Sequence, residues 1–196
     1  DELAKVWDQV VALHRCGIHP AAQICVRRHG EIVMHRSIGY ARGVGPREAA
    51  DARKVPVTPD TPFNIFSASK AVTAVLIHML DERNALHVDD YVCDYIPEFG
   101  SHGKEHITIK HLLNHRAGIA VAPPEAMHLD FLAEPDTLLQ LLCEMKPSSR
   151  AGGRLAYHAL SSGFILAEIA RRASGMDIRR LMDREIVKPL GLRWGN

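Results

Sequence analysis

The sequence predicts an α+β protein, in which an antiparallel sheet is flanked by helices and a helical region follows. Two observations carry this prediction. Near the N-terminus, a helical pattern at residues 2–15 precedes two strand-like runs at 23–27 and 31–35. From residue 62 onward, apolar residues recur at helical spacing. We therefore expect an N-terminal helix and β-hairpin within residues 1–61 and a helical region over 62–196.

The N-terminal elements each have a local signal. The first helix has an apolar stripe formed by Leu3, Val6, Trp7, Val10 and Val11. His29-Gly30 has turn composition, so the two runs are expected to pair as a hairpin, and the proline-rich residues 39–62 are predicted as loop. Two strands alone do not make a stable sheet. Either further strands lie in the loops or chain beyond this sequence completes the sheet, and we favour the second.

The helical region begins at Ser67. The helix that follows is apolar almost all round, which predicts burial on most of its sides, and residues 81–84 end it. Further helical patterns follow at 108–115, with Thr108 as N-cap, and at 136–145, 161–173 and 177–187.

Composition limits the classes of function. Of the 196 residues, 46% are hydrophobic, which is enough for one well-buried core. The net charge of +1 gives no basic excess for binding nucleic acid. No run approaches the roughly 18 apolar residues that a membrane span needs, and the first residues lack the order of a signal peptide. We expect no nucleic-acid partner, no membrane span and a cytoplasmic location, and the oligomeric state is not predicted.

The four cysteines, Cys16, Cys25, Cys93 and Cys143, are widely spaced and include no C-x-x-C pair. Three disulfide pairings are possible in principle. We expect instead four free thiols in a reducing compartment, most of them acting as small buried hydrophobic side chains.

Ser67 and Lys70 are the first candidates for chemistry. Residues three apart share a helix face, so the hydroxyl and the amine can meet. A serine is a poor nucleophile until a base takes its proton, and a lysine serves as that base only if burial lowers its pKa toward neutrality. The apolar helix offers such surroundings, and a helix start favours a developing oxyanion. Ser101 and Lys104 have the same spacing, but Gly103 between them predicts a loop.

Tyr157 is the second candidate and follows a glycine pair at 152–153. A tyrosine near a lysine loses its proton more readily and can relay protons to a leaving group. The alternative is a tyrosine that packs its ring and leaves its hydroxyl at the surface.

The histidines His102, His106, His111 and His115 form two pairs at i, i+4, a spacing that can hold zinc on a helix. However, Gly103 interrupts the first pair, and neither pair belongs to an H-E-x-x-H motif. We expect exposed or structural histidines, with no metal and no other cofactor.

Several segments resemble a known family when they are taken in order. They are TPFNIFSASK at 61–70, LHVDD at 86–90, YIPEF at 95–99, IKHLLNHRAGI at 109–119, YHAL at 157–160 and PLGL at 189–192. The first resembles the approach to an S-x-x-K helix and the fourth an L-L-x-H-x-S-G stretch. The set resembles the serine β-lactamase and penicillin-binding-protein superfamily, and within it the class C β-lactamase-like esterases, or family VIII carboxylesterases. The resemblance implies a β-lactamase/DD-peptidase-like fold.

The resemblance also implies a role for each candidate. Ser67 would be the acylated nucleophile, and Lys70 and Tyr157 would act as a coupled base and acid. The backbone N–H of Ser67 would form half of an oxyanion hole. The implied reaction is hydrolysis of a small-molecule carboxylic ester through an acyl-Ser67 intermediate.

Two departures from the family pattern bear on this reading. Many β-lactamases have Y-x-N, whose asparagine can hydrogen-bond the antibiotic's amide, whereas the third position here is Ala159. This favours an esterase. The family's third motif, K-T-G or H-x-G, lies on a strand after the P-L-G turn, and the sequence ends before it. We expect the C-terminal strands and the second oxyanion donor to be missing from this chain, which would leave it catalytically incomplete.

Three alternatives stay open. The chain could be a penicillin-binding D-alanyl-D-alanine peptidase or weak β-lactamase, a non-catalytic binding domain of the same fold, or a histidine-based metalloenzyme. The sequence does not name the ester, because specificity in such a fold depends on loops, here including residues 119–135.

Overall fold

The computed structural model describes residues 2–121 and 134–192, in two compact units that divide between Asn64 and Ile65. Residues 122–133, which form most of the expected specificity loop, lie outside the described residues. In the part of the chain that is described, none of the helices has the length and apolar character needed to cross a membrane.

The N-terminal unit contains one helix and a small antiparallel sheet. Helix α1 spans Glu2–Arg15, and strands β1 and β2 span Ala21–Arg28 and Glu31–Arg42. His29 and Gly30 join the strands, with φ angles of 50° and 85°. Positive φ at both turn positions matches the right-handed twist of paired strands, and the predicted hairpin is confirmed.

The predicted loop at 39–62 is wrong in two places. Strand β2 continues through Gly39 to Arg42, and Val55–Pro56 forms a third strand, β3, in the order β1-β2-β3. Gly39 allows the continuation because a Cβ there would lie 2.2 Å from the carbonyl oxygen of Pro20. Pro56 is tolerated on this outer strand, since proline cannot donate to a neighbouring strand. A short further strand therefore lies within the predicted loop.

The regular elements of the C-terminal unit, in its described residues, are helices. Its α-helices are α2 (Ser69–Glu82), α3 (Val92–Tyr95), α4 (Ile109–Leu113), α5 (Pro135–Glu144), α6 (Ser161–Ser174) and α7 (Ile178–Met182). Single 3-10 turns precede α2 at Phe66–Ala68 and follow α3 at Pro97–Gly100, and a π-helical turn at Asp183–Val187 continues α7. The four helical patterns predicted after α2 are thus confirmed, whereas α3 was not predicted.

The core of this unit forms where α2 packs on α6. The buried apolar side chains of these two helices are Leu76, Ile77, Leu80, Ile165, Leu166, Ile169 and Ala170. Burial of a side chain of this size stabilises the fold by about 1.5–3 kcal/mol. Because the first turns of both helices lie next to the residues that could do chemistry, this packing fixes the positions of those residues.

Helix α2 is buried on one side only. Leu76 and Ile77 are inaccessible, whereas Val75 is 51% exposed. Ala71 and His78, four residues before and three after Val75, are also exposed. The prediction of burial on most sides is therefore wrong for the described residues, because α6 and the rest of this core cover a single face.

The ends of the helices follow the capping chemistry that the sequence indicates. The Oγ1 of Thr108 accepts a hydrogen bond from the backbone N–H of His111 at 3.3 Å, so Thr108 caps α4 as predicted. Helix α6 ends at Gly175, whose φ of 73° is the left-handed conformation that glycine adopts without strain. The Asp177 carboxylate then caps α7.

All four cysteines are free thiols, as predicted, but their burial is not as predicted. Cys143 is buried and Cys93 is half-buried, whereas Cys16 and Cys25 are exposed. Cys16 follows α1, which has no buried residue, and Cys25 lies on the outward face of β1. The expectation of mostly buried thiols is therefore wrong for the N-terminal pair.

Candidate active site

Ser67 lies in the middle of the 3-10 turn Phe66–Ala68, two residues before α2 begins. The turn is closed by a hydrogen bond from the backbone N–H of Ala68 to the carbonyl of Ile65, at 3.0 Å. Phe66 has a φ of 44°, which a bulky side chain adopts only under strain. Such strain is concentrated at functional sites, and here it presents the Ser67 side chain at the surface.

Lys70 is the second residue of α2 and is half-buried. Its Nζ donates a hydrogen bond to the carbonyl oxygen of Ala159 at 2.7 Å. The same Nζ lies 5.3 Å from the centre of the Tyr157 ring. The start of α2 is therefore tied directly to the segment that carries Tyr157.

The three predicted residues meet at Tyr157. Side-chain hydrogen bonds with Ser67, and then with Lys70, lower the pKa of the phenol, as does the charge of Lys70. The Tyr157 side chain is accessible, at 53% exposure, so a substrate can reach this hydroxyl. The structure thus brings Ser67, Lys70 and Tyr157 close together, although they are up to 90 residues apart in the sequence.

His115 is a neighbour of Tyr157 that the search for catalytic residues did not select. The two rings meet edge to face, with their centres 4.8 Å apart. The Nδ1 of His115 accepts a hydrogen bond from the backbone N–H of His158 at 3.2 Å, and its carbonyl accepts one from Ala156 at 3.0 Å. Burial and the charge of Lys70 lower the pKa of His115.

His158 is inaccessible to solvent, and both of its ring nitrogens are used. Its Nε2 accepts a hydrogen bond from the backbone N–H of Ile119 at 3.2 Å, and its Nδ1 lies 2.6 Å from the carbonyl oxygen of Ala156. Burial lowers the pKa of this imidazole, and the neighbouring His115 adds to the effect. A sequence cannot distinguish such a histidine from an exposed one, because its partners are backbone atoms.

A small cavity of about 40 Å³ lies behind Lys70. His115, Ser162 and Leu166 are among the residues that line it. Lys70 therefore contacts Tyr157 and Ala159 and also lines this cavity.

The remaining candidates from the sequence have structural partners. His111 accepts a hydrogen bond from the backbone N–H of Thr108 at its Nδ1, at 3.1 Å, and so takes part in capping α4. Across the described residues, no group of three or more histidine, cysteine, aspartate or glutamate side chains is placed to hold a metal ion.

The second Ser-x-x-Lys spacing, at Ser101 and Lys104, lies in turns, as predicted. Ser101 Oγ and Lys104 Nζ both donate to the carbonyl oxygen of Cys143, at 2.9 Å and 2.7 Å. Lys104 also donates to the carbonyl of Met145 at 2.5 Å. These contacts satisfy the C-terminal end of α5 and leave neither side chain free for catalysis.

The fold and this group of residues define a member of a known class. The chain belongs to the beta-lactamase family, whose profile matches residues 11–194. This confirms the resemblance and the α+β fold class that it implied.

Individual relatives include proteins named as esterases. The esterase EstB of Burkholderia gladioli is 30% identical over 209 residues, which cover 97% of this chain and 50% of EstB. The esterase/beta-lactamase LipL of Mycobacterium tuberculosis is 33% identical over 140 residues, 69% of this chain and 31% of LipL.

Solved structures give the same architecture. A penicillin-binding protein homologue from Caulobacter crescentus superposes with a TM-score of 0.84 at 30% identity, covering 98% of this chain and 49% of the homologue. A family VIII carboxylesterase superposes with a TM-score of 0.80 at 30% identity, covering 96% and 49%. The chain therefore spans about half the length, or less, of these relatives.

Proposed function

We propose that the protein is a serine hydrolase that cleaves small carboxylic esters through an acyl-Ser67 intermediate. The observation that carries the proposal is the position of Tyr157, whose ring centre lies 5.3 Å from the Lys70 Nζ and whose pKa is lowered by interactions with Ser67 and Lys70. Membership of the beta-lactamase family and the named esterase relatives support the same class of reaction.

In the first step, the phenolate of Tyr157 takes the proton of Ser67 while the Oγ attacks the carbonyl carbon of the ester. The lowered pKa of Tyr157 makes the phenolate easier to form, and the Lys70 amine beside it stabilises the negative charge. The tetrahedral intermediate then collapses, the C–O bond to the alcohol breaks, and Tyr157 returns the proton to the leaving alkoxide. The products of this step are an alcohol and acyl-Ser67.

In the second step, a water molecule attacks the acyl carbon. Tyr157 accepts the proton of the water, the bond to Ser67 Oγ breaks, and the proton passes to that oxygen. A carboxylic acid leaves and the enzyme returns to its starting state. The backbone N–H of Ser67 would stabilise the negative oxygen in both steps.

Ala159 supports an ester over a β-lactam as substrate. It contributes its carbonyl oxygen to Lys70 but has no side-chain donor or acceptor to recognise an amide. A site that lacks such a group loses little binding free energy with an ester, because an ester has no amide N–H to leave unpaired.

A penicillin-binding peptidase is the second candidate, and the superposition on the Caulobacter crescentus homologue favours it. The same Ser67 chemistry would then act on an amide bond. Turnover of p-nitrophenyl acetate and covalent labelling by a fluorescent penicillin, measured side by side on the full-length protein, separate the two. We expect turnover of the ester and little labelling; labelling without turnover of the ester would favour the peptidase.

A further inference from the structure

We infer that His115 and His158 are positioning residues, which together hold the Tyr157 hydroxyl against Ser67 and Lys70. The inference rests on the proposed function, because it concerns the geometry of the same site. It adds two residues that act through Tyr157 and need not touch the substrate.

The first part of the argument is the backbone on either side of Tyr157. The N–H of Ala156 donates to the carbonyl of His115 at 3.0 Å, and the N–H of His158 donates to the Nδ1 of the same residue at 3.2 Å. One residue therefore holds both neighbours of Tyr157. The His115 ring also packs edge to face against the phenol, with the ring centres 4.8 Å apart. Together these contacts restrict both the backbone and the ring of Tyr157.

The second part of the argument is the imidazole of His158, which holds the backbone next to Tyr157 through two hydrogen bonds. Because its Nε2 accepts the N–H of Ile119, that nitrogen carries no proton. The proton of the neutral ring is therefore on Nδ1, which donates to the carbonyl of Ala156. Ser161 and Ser162, at the start of α6, complete the arrangement by donating to the carbonyls of Ile119 and His158, at 2.7 Å and 3.3 Å.

The third part is that both histidines must be neutral. Each uses a ring nitrogen to accept a backbone N–H, and a proton on that nitrogen would set two donors against each other. The groups that face them disfavour such a proton: Lys70 from α2 raises the positive potential at His115, and α6 contributes only the uncharged Ser161 and Ser162. The two rings also lie 5.6 Å apart, so a charge on one opposes a charge on the other.

The test uses two substitutions that divide the functions of His115. His115→Asn keeps an acceptor near the position of Nδ1 but removes the ring, and His115→Phe keeps a ring against Tyr157 but removes the acceptor. His111→Phe is the matched control, since it also removes an acceptor for one backbone N–H, that of Thr108, on the neighbouring helix.

The first readout is the absorbance titration of the Tyr157 phenol, isolated by subtracting the curve of Tyr157→Phe. We expect the midpoint in His115→Phe to rise toward that of free tyrosine, while His115→Asn and His111→Phe keep the wild-type midpoint. The second readout is ester hydrolysis, where His115→Phe should lower kcat about 10- to 100-fold with KM changed less than about twofold, because the phenol is misplaced while the substrate-binding surface is intact.

A wild-type midpoint and wild-type kcat in His115→Phe would overturn the inference. If that variant does not fold, His158→Gln takes its place, because its amide oxygen can replace Nε2 as the acceptor for Ile119 but leaves no donor at the position of Nδ1, and the same shift is expected. The titration needs no turnover. A shifted midpoint in a protein without esterase activity therefore refutes the proposed function alone, and an active esterase with an unshifted midpoint refutes this inference alone.

Discussion

At the scale of single residues, the chain offers the same Ser-x-x-Lys spacing twice, in two different surroundings. Lys104 is inaccessible and its amine is taken up by the carbonyls of Cys143 and Met145. Lys70 is only half-buried and lies beside the Tyr157 ring, close to the exposed Ser67. The spacing allows a lysine and a serine to meet, but the third partner decides whether the pair can transfer a proton.

The role of Lys104 predicts a loss of stability without a direct effect on chemistry. In Lys104→Met, two carbonyls lose a charged donor, and we expect the free energy of unfolding to fall by about 1–3 kcal/mol. Lys110→Met is the control, because its exposed ion pair with Asp89 contributes at most about 1 kcal/mol. Urea unfolding measures both, and equal losses would show that the buried contacts of Lys104 have no special weight.

For Tyr157 we predict the opposite pattern, a loss of activity with little loss of stability. Tyr157→Phe removes the hydroxyl that contacts Ser67 and Lys70, so kcat for a p-nitrophenyl ester should fall by about 10²- to 10⁴-fold with little change in stability. Tyr91→Phe, at an exposed tyrosine that packs against His106, is the control and should keep wild-type activity. A Tyr157→Phe protein that hydrolyses esters at the wild-type rate would mean that Lys70 alone serves as the base.

At the scale of elements, α6 links the core to the site. Its apolar face packs on α2, while its first residues, Ser161 and Ser162, donate to the carbonyls of Ile119 and of His158, the residue after Tyr157. The two glycines of this region have different tasks. Gly175 ends the helix at positive φ, and Gly163 lies in the first turn, where a Cβ would meet no atom within 4 Å.

These differences predict substitutions of opposite sign. Gly175→Ala forces a Cβ into the left-handed region and should destabilise the protein by about 1 kcal/mol. Gly163→Ala removes freedom from the unfolded chain and should stabilise it by about 0.4–1 kcal/mol. Thermal unfolding of the pair checks the signs; a stabilising Gly175→Ala would contradict the assignment of the cap.

The elements also show what the sequence could and could not predict. Local chemistry was sufficient for the hairpin turn at His29-Gly30 and for the Thr108 cap, because each depends on neighbours in the chain. Strand β3 was missed because it is two residues long and pairs with Tyr40 and Arg42 only through the fold. The exposed face of α2 was missed because apolar composition alone does not say which faces are covered.

The candidate site, like the fold, could be predicted only in part from the sequence. The spacing in the sequence suggested Ser67 with Lys70, and Tyr157 was added by the family resemblance. The bonds from Ala156 and His158 to His115 join segments about 40 residues apart, and no local pattern encodes them. The one available signal was the place of His115 in the L-L-x-H-x-S-G stretch, which supported the family resemblance but did not by itself indicate a role for this residue.

At the scale of the whole molecule, the titratable groups predict two steps of acid destabilisation. The pKa values of His111, His115 and His158 are lowered, chiefly by burial. Between these lowered values and the ordinary histidine value of about 6.5, the unfolded chain binds more protons than the folded protein. The contribution of these histidines to the free energy of unfolding is therefore fully present above about pH 6.5 and is lost as the pH falls. Glu185, whose pKa is lowered to about 2 by Arg83 and then Arg184, adds a second loss between 4.5 and about 2.

Urea unfolding between pH 8 and pH 3 measures both steps. In His158→Gln, the free energy of unfolding should fall less steeply between pH 7 and pH 5. Glu185→Gln should leave that region unchanged and make the free energy of unfolding less dependent on pH below pH 4.5. A His158→Gln protein that keeps the full wild-type slope above pH 5 would show that this imidazole is not held neutral by the fold.

The central claim is that Ser67 is the nucleophile, and intact mass after reaction with a fluorophosphonate tests it most directly. Ser69→Ala is the matched control, because Ser69 is in the same motif but begins α2 and is not part of the Tyr157 group. We predict one covalent adduct on the wild type and on Ser69→Ala, and none on Ser67→Ala. An adduct that persists in Ser67→Ala, or a wild-type protein that takes no label, would contradict the assignment.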